Sequence, residues 1–249
     1  MNCTKWGVLL LVAGLAHFTS YSQWQTVEQN LIWLGGSVTL ELPNNYALGL
    51  RAEERRYVFP DRRHQRILSN FLATKTFNSS WKAEVGLWFF EITLPQTPFE
   101  KSLGEVKEIR PYFSVTRSVD LPKGRLALRL QSEYRHFRGP EAPSHFEGPV
   151  VSRRLRERLR VQYKYPLKNN QSLLFSEELH LTVASEPERQ VFQQNRLIAQ
   201  YQKNWSPHFS SALGYVFWLQ PTGRPREYFT RHILTLEFYY TFSYSKTAH

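Results

Sequence analysis

Long segments of this sequence alternate between polar and apolar residues with a period of two. Residues 153–165 read RRLRERLRVQYKY, which places Arg154, Arg156, Arg158 and Arg160 on one side of an extended chain and mainly leucine, valine and tyrosine on the other. Read as a helix, the same segment aligns Leu155, Leu159 and Tyr163 at four-residue spacing. Because the period of two recurs along the whole chain, we interpret the segment as a strand.

The recurrence is clear in segments of about ten to sixteen residues that are separated by turn signals. It is seen in residues 46–57, 81–90, 125–137 and 209–219. Strands in soluble sheets are usually about five or six residues long, whereas a tilted membrane-spanning strand needs about 9–11. The pattern therefore favours a transmembrane β-barrel, and a soluble β-sandwich is the alternative.

The connections between these segments alternate in length. Short polar turns are followed by looser connections rich in Pro, Gly and charge. One end with tight turns and one with longer loops is typical of outer-membrane barrels, whose tight turns are periplasmic and whose longer loops lie outside. The short turns are predicted at 43–45, 78–80, 121–124, 167–170 and 204–208, and the longer connections at about 58–64, 93–105, 139–149, 185–190 and 220–227.

We therefore predict an all-β fold, an antiparallel transmembrane β-barrel of about 12 strands, with roughly 10–12 possible. Twelve results if residues 26–34 and 37–42 are separate strands broken at Gly35 and Gly36. Merging them gives eleven. We favour the even number, because both termini of a single-chain bacterial barrel are expected on the periplasmic side.

The first 22 residues have the pattern of a cleaved secretory signal peptide, with Lys5 followed by an apolar run over residues 7–16 and then small polar residues. We predict that residues 1–22 are removed and that residues 23–249 form a barrel in the outer membrane of a Gram-negative bacterium. Cleavage also removes Cys3, the only cysteine, so disulfides and thiolate metal sites are excluded from the mature chain.

The last alternating segment has an apolar face that ends on aromatic side chains, Phe238, Tyr240 and Phe242. It resembles the C-terminal signal by which outer-membrane barrels are recognised for assembly, although residues 243–249 follow it. We therefore expect the barrel-assembly machinery and outer-membrane lipids as partners.

Several short motifs together resemble the domain-of-unknown-function 2490 family, secreted proteins of Bacteroidetes that are presumed to be outer-membrane barrels. The resemblance extends over nearly all of the predicted mature chain. It implies the fold and the location, and it carries no established activity. The motifs are RAEERRY at 51–57, EIRPYF at 108–113, SEYRHF at 132–137, QNRLIAQYQ at 194–202, ALGYVFW at 212–218 and RHILTLEFYYTF at 231–242.

In a barrel of this kind the polar face of each strand points into the lumen. The lumen is then either filled by its own Arg–Glu pairs, as in a structural barrel, or it is a narrow, positive, porin-like pore that passes or binds small anions. We favour the filled interior, because about twelve strands lie between filled eight-stranded barrels and open sixteen-stranded porins. The predicted lumen charge network comprises Arg51, Glu53, Arg55, Glu84, Arg110, Arg129, Glu133, Arg135, Arg154, Arg156, Arg158, Arg160, Glu178 and Arg196.

An outer-membrane hydrolase of lipid or lipopolysaccharide is the alternative function. Its candidate Ser176 and His180 share a strand face but would be about 13 Å apart at strand rise, and His208 and Ser210 lie at a predicted periplasmic turn. We therefore predict no catalytic residues, no metal site and no cofactor. Nucleic-acid binding is rejected despite the net charge of +11, because the arginines alternate with apolar residues and form no exposed basic patch.

Overall fold

The structure, a computed structural model, describes residues 25–94, 96–101, 104–139, 151–186 and 191–244. Within these residues eleven β-strands close into one barrel, so the predicted all-β barrel is confirmed. No helix in this part of the chain is long and apolar enough to cross a membrane. The strands are β1 (Gln25–Leu42), β2 (Tyr46–Tyr57), β3 (Arg62–Thr76), β4 (Trp81–Leu94), β5 (Gly104–Leu121), β6 (Gly124–Arg138), β7 (Val151–Pro166), β8 (Gln171–Glu186), β9 (Phe192–Asn204), β10 (Phe209–Pro221) and β11 (Glu227–Ser243).

The predicted signal peptide, residues 1–22, lies outside the described residues. Every strand pairs antiparallel with its neighbours in sequence, and the alternation between short and longer connections follows the prediction. The connections at the short-turn end are 43–45, 77–80, 122–123, 167–170 and 205–208, and those at the long-loop end are 58–61, 95–103, 139–150, 187–191 and 222–226.

The barrel closes through a parallel pair, β1 and β11, with Gln25 opposite Glu227. The predicted break at Gly35 and Gly36 is wrong, because β1 continues through both glycines as one strand of 18 residues. The observed eleven strands lie within the predicted range, but β1 begins at the long-loop end while β11 ends at the short-turn end. A parallel ladder also pairs the backbone N–H and C=O groups of the two edge strands. Closure of the barrel therefore does not require an even number of strands.

The turns at the short-turn end depend on residues that accept positive φ. Gly124 follows the two-residue turn between β5 and β6 with φ of +129°, and a Cβ added there would lie 2.4 Å from the carbonyl oxygen of Lys164. Asn44 and Asn45 at one turn and Asn169 and Asn170 at another also have positive φ. These positions need glycine or asparagine, which tolerate the left-handed region.

The two faces of the strands differ in the way that the alternation predicts. On β6, Leu126, Leu128 and Leu130 point outward and are exposed, whereas Gln131 and Glu133 point inward and are buried. The barrel wall therefore presents apolar side chains to the outside and polar side chains to the interior.

Two apolar clusters fill part of the interior. One is formed by Leu31, Trp33, Tyr57, Val216, Trp218 and Ile233, and the other by Ile67, Phe90 and Ile92. Beside the first cluster, His64 of β3 packs against Trp218 of β10, with ring centroids 6.0 Å apart. Since these two strands are separated by β2, β1 and β11 around the barrel, the contact spans the interior.

Candidate functional site

The candidate site is the charged interior of the barrel. Each strand sends every second side chain inward, and the structure places all fourteen residues of the predicted lumen network on this inward side, buried or half-buried. Many of their partners were not predictable from one sequence, because they lie on other strands.

Arg158 of β7 is at the centre of the network. Its Nη1 donates to Glu133 Oε1 of β6 at 2.7 Å, and its Nη2 donates to both carboxylate oxygens of Glu178 of β8 at 2.8 and 2.9 Å. All three side chains are buried. One guanidinium therefore joins two strands through charge-assisted hydrogen bonds.

Glu178 also binds cations other than Arg158. Arg129 Nη2 donates to it at 2.6 Å and Arg160 Nε at 3.2 Å, while His180 Nε2 lies 3.1 Å from its other oxygen. The Glu178 side chain is 0% exposed. Three arginines thus depend on one buried carboxylate.

The network extends to β5 through Glu108 and Arg110. Glu108 accepts from Arg110 Nε at 2.8 Å and from Arg135 Nε at 2.6 Å, and Arg110 also lies 3.5 Å from Glu133. Glu133 in turn accepts from Arg156. Glu108 is absent from the predicted network, although its position two residues before Arg110 places it on the same strand face.

A second group of charges lies across β11, β1 and β2. Glu53 accepts hydrogen bonds from Arg51 at 2.9 Å and from Arg55, and Arg51 also forms an ion pair with Glu237 of β11 at 3.2 Å. Arg55 Nη1 donates to Gln65 at 2.9 Å. Glu237 was also missed, although it shares the polar face of its strand with Thr235.

Glu84 lies apart from both groups. It accepts from Tyr112 at 2.8 Å and from Thr74 at 3.2 Å, and its Oε2 lies 3.2 Å from Lys82 Nζ. Lys82 lies on the same inward face of β4, as the alternation of that strand predicts.

Arg231 is a fully buried cation that contacts neutral oxygens. It donates to Gln29 at 2.6 Å and to Gln220 at 2.7 Å, and Gln96 lies at 3.3 Å. Its guanidinium carbon is 4.4 Å from the ring centroid of Trp218. The strand pattern could have located Arg231, because it shares the inward parity of Thr235 and Glu237.

Several contacts join strands that are not neighbours. Arg158 of β7 lies over Trp88 of β4, with 5.6 Å between the guanidinium carbon and the ring centroid. Arg196 of β9 lies 5.5 Å from the ring of Trp33 on β1. At the long-loop end, the main-chain oxygen of Gln96 accepts from Gln29 at 2.8 Å, so the connection after β4 reaches β1 across the mouth.

Cations outnumber carboxylates on the inward side. Among the described residues between the barrel rims, twelve cationic side chains face six carboxylates. Such an excess in a low-dielectric interior is costly unless other anions balance it. The cations are Arg51, Arg55, Lys82, Arg110, Arg129, Arg135, Arg154, Arg156, Arg158, Arg160, Arg196 and Arg231, and the carboxylates are Glu53, Glu84, Glu108, Glu133, Glu178 and Glu237.

The two histidines considered for a hydrolase contact other groups. His180 contacts Glu178 and, through Nδ1, Gln194 at 2.7 Å, and His208 Nδ1 lies 3.0 Å from the main-chain oxygen of Thr241. In the described ranges no group of three or more His, Cys, Asp or Glu side chains is placed to hold a metal ion.

The aromatic residues of the predicted assembly signal lie on the outside. Phe238, Tyr240 and Phe242 are exposed on β11, where Phe238 stacks on Phe209 of β10 and Tyr240 packs against Phe242. They form part of an aromatic belt close to the short-turn end.

Comparison with known proteins gives one family match. The family described as "Protein of unknown function (DUF2490)" matches residues 30–228, which is more than half of the chain. No curated protein sequence matches the chain.

Proposed function

This chain belongs to the DUF2490 family of proteins of unknown function, and we propose that it is an outer-membrane β-barrel whose interior is closed to the passage of solutes. In this role it is a structural or binding barrel and not an open porin. Its positive interior favours small anionic solutes, which it binds rather than passes.

The outer surface supports insertion in a membrane. On β1 the outward side chains are apolar from Ile32 to Leu42, apart from Gly36, over ten residue steps. At about 3.3 Å per residue and a tilt of about 40°, this band is roughly 25 Å high, which is the height of the apolar band of outer-membrane barrels. Exposed aromatic residues lie at its short-turn border: Tyr46, Trp81, Tyr165, Phe209, Tyr240 and Phe242.

A row of outward charged side chains marks the opposite border of the apolar band. Glu54, Arg66, Glu91 and Lys107 are successive register partners on β2 to β5, on the long-loop side of the apolar side chains. Charges in this position suit the water-exposed part of a barrel that extends beyond the lipid. We therefore assign the long-loop end to the outside and the short-turn end to the periplasm.

The observation that carries the proposed closure is the set of contacts between strands that are not neighbours. An open pore needs a continuous water-filled path. In this barrel, Trp88 contacts Arg158, Trp33 contacts Arg196, and Trp218 contacts His64 across the interior. The ion pairs centred on Arg158 fill the space beside them.

Export and assembly complete the proposal. Residues 1–22 direct secretion. The barrel-assembly machinery recognises the outward aromatic residues Phe238, Tyr240 and Phe242. The proposed role includes no catalysis, because His180 and His208 are engaged by Glu178, Gln194 and a main-chain oxygen.

Conductance in a planar lipid bilayer tests the proposed closure. The purified, folded protein should give no current steps above those of the bare bilayer. A variant with Trp33, His64 and Trp218 all changed to Ala removes side chains that meet across the interior, and it should conduct if it folds. Reproducible anion-selective steps from the unchanged protein would instead establish a narrow pore.

Fractionation tests the proposed location separately. The mature protein should begin near Gln23 and be recovered with the outer membrane of the cells that make it. Recovery of the folded barrel from the soluble periplasmic fraction would refute the membrane assignment.

A further inference from the structure

We propose that the short-turn half of the interior contains a binding site for a phosphate group, formed by Lys82, Arg129 and Arg160. The inference deepens the proposed function, since it rests on a closed interior that binds anions. It names the residues that bind and the chemical class of the ligand.

The three cations lie in one row across adjacent strands. Lys82 of β4 is the register partner of Thr116, Thr116 of Arg129, and Arg129 of Arg160. Since neighbouring strands are about 4.8 Å apart, the row places the bases of these side chains side by side. Like charges directly opposite each other, such as Arg129 and Arg160, destabilise a sheet unless an anion lies between them.

The carboxylates of the protein supply only part of the negative charge that this row needs. Arg129 and Arg160 both contact Glu178, at 2.6 and 3.2 Å. The same carboxylate is also bound by Arg158 and contacts His180. Lys82 is 3.2 Å from Glu84, which also accepts hydrogen bonds from Tyr112 and Thr74. The cationic row therefore retains capacity for a further negative group.

A cavity lies where such a group would bind. It has a volume of about 210 Å³ and is lined by inward side chains of β4 to β7, including Lys82, Glu84, Thr116, Arg129, Arg160 and Gln162. At roughly 30 Å³ per water molecule, the cavity has room for a phosphate group together with a few waters.

One donor of Arg129, a residue that lines the cavity, has no partner. Arg129 Nε is buried and makes no hydrogen bond among the described residues, although its Nη2 is bound to Glu178. Leaving a buried donor on a charged group unpaired costs free energy that a bound oxygen would recover. The geometry therefore provides a reason for an oxyanion and not simply for a positive potential.

The cavity is reached from the short-turn end. The Lys82 side chain, at the start of β4, is 47% exposed, those of Arg129 and Arg160 are 24% and 25% exposed, and Glu178 behind them is fully buried. Exposure thus decreases from the mouth inward, and Glu178 with Arg158 forms the floor. A ligand enters from the proposed periplasmic side and does not cross the barrel.

The donor set suits phosphate in particular. The two guanidinium groups carry further N–H donors beside those bound to Glu178, and the Lys82 ammonium adds a compact positive charge at the mouth. A phosphate group carries a charge of about −1.5 to −2 near neutral pH and has several acceptor oxygens. Since the cavity opens at Lys82, the group can be free inorganic phosphate or the end of a small phosphate ester.

Calorimetric titration of the full mature barrel in detergent with inorganic phosphate tests the site. We expect saturable binding that is at least tenfold weaker in Arg129→Gln and in Lys82→Gln, a substitution at the exposed mouth that leaves the buried network in place. The control is Arg66→Gln, which removes an outward cation near Glu54 and Glu91 and should bind phosphate as the unchanged protein does.

Three outcomes would overturn the site. They are no saturable binding of phosphate, binding of acetate as tight as that of phosphate at the same ionic strength, or a loss of phosphate affinity in Arg66→Gln as large as in Arg129→Gln. Glycerol phosphate distinguishes the source, because tighter binding than inorganic phosphate indicates an ester and weaker binding indicates the free ion. Conductance separates the two proposals. If the protein neither binds phosphate nor conducts, only the proposed phosphate site is overturned. If the protein conducts, the proposed closure of the interior is overturned.

Discussion

At the scale of single residues, the interior depends on a few carboxylates that each serve several arginines. Glu178 is the extreme case, with Arg129, Arg158 and Arg160 on one fully buried carboxylate. Removing the carboxylate of a buried ion pair leaves its cations uncompensated, which is strongly destabilising. The loss of one acid is therefore expected to cost more than the loss of any one of its arginines.

Replacing Glu178 by Gln tests this dependence. The change leaves three guanidinium groups without their shared anion, and breaking a buried ion pair from one side costs about 3–5 kcal/mol of the free energy of unfolding. Urea unfolding in lipid vesicles, followed by tryptophan fluorescence, measures that loss. Glu91→Gln, on the outer surface, is the matched control with an expected change of roughly 0–1 kcal/mol. Equal losses in the two variants would contradict the central role of Glu178.

Residue positions were more predictable than residue partners. Strand parity alone located the fourteen predicted charges on the inward side, and the same parity applied to Glu108 and Arg231 would have found them too. Parity could not reveal that Arg158 joins Glu133 to Glu178, because the relative registers of β6, β7 and β8 depend on hydrogen bonds between segments. Such registers are set by packing across strands and not by one strand's own sequence.

At the scale of elements, β6 shows how one strand separates the two environments. Leu128 points outward and is 49% exposed, whereas its neighbour Arg129 points inward to Glu178. The strand pattern predicted this division, since its leucines and charged residues alternate over the whole segment.

Exchanging polarity on the two faces of β6 should have unequal effects. Leu128→Arg places a charge in the lipid-facing band at a cost of about 2–4 kcal/mol near the bilayer centre. Arg129→Leu removes one of three arginines on Glu178 and relieves its repulsion with Arg160, so its cost should be smaller. The yield of folded barrel in vesicles measures both changes, and equal yields would contradict the assigned faces.

The β1–β11 pair is the element-scale feature that the sequence did not reveal. The expectation of an even strand number came from the usual position of barrel termini, and the glycines at 35 and 36 suggested a break. In the structure, continuous pairing of β1 with both neighbours over its apolar outer face overrides that local signal. Glycine weakens a strand but does not end one whose two edges are paired.

Disulfide trapping tests the parallel closure. Thr39 and Thr241 are register partners in β1 and β11, and the spacing of about 4.8 Å between neighbouring strands falls within the Cα separation that disulfides accept. In a background without Cys3, cysteines at 39 and 241 should cross-link under mild oxidation and change the mobility of the unfolded chain. Cysteines at 39 and 210 should not, because β10 is not a neighbour of β1. The reverse result would exclude this closure.

At the scale of the whole molecule, the barrel has apolar side chains outside and a cationic interior that side chains from separate strands cross. The outside follows from the period of two and from strand length, so it could be predicted. The proposed closure rests on contacts such as His64 with Trp218 and Gln96 with Gln29, between segments far apart in sequence. No local pattern contains that information, so the proposal of a closed interior is argued from the structure and not from the sequence.

Accessibility along β7 in lipid vesicles tests whether the barrel is embedded in the membrane with its charged face inside, with single nitroxide labels placed at positions 155 to 163. Labels at 159, 161 and 163 should be reached by oxygen dissolved in the lipid and not by a water-soluble relaxation reagent, because Leu159, Val161 and Tyr163 point outward. Labels at 156 and 158 should be shielded from both, because Arg156 and Arg158 are buried inside. A period near 3.6 residues, or access of the water-soluble reagent to 159 and 161, would contradict a membrane-embedded barrel with a closed, charged interior.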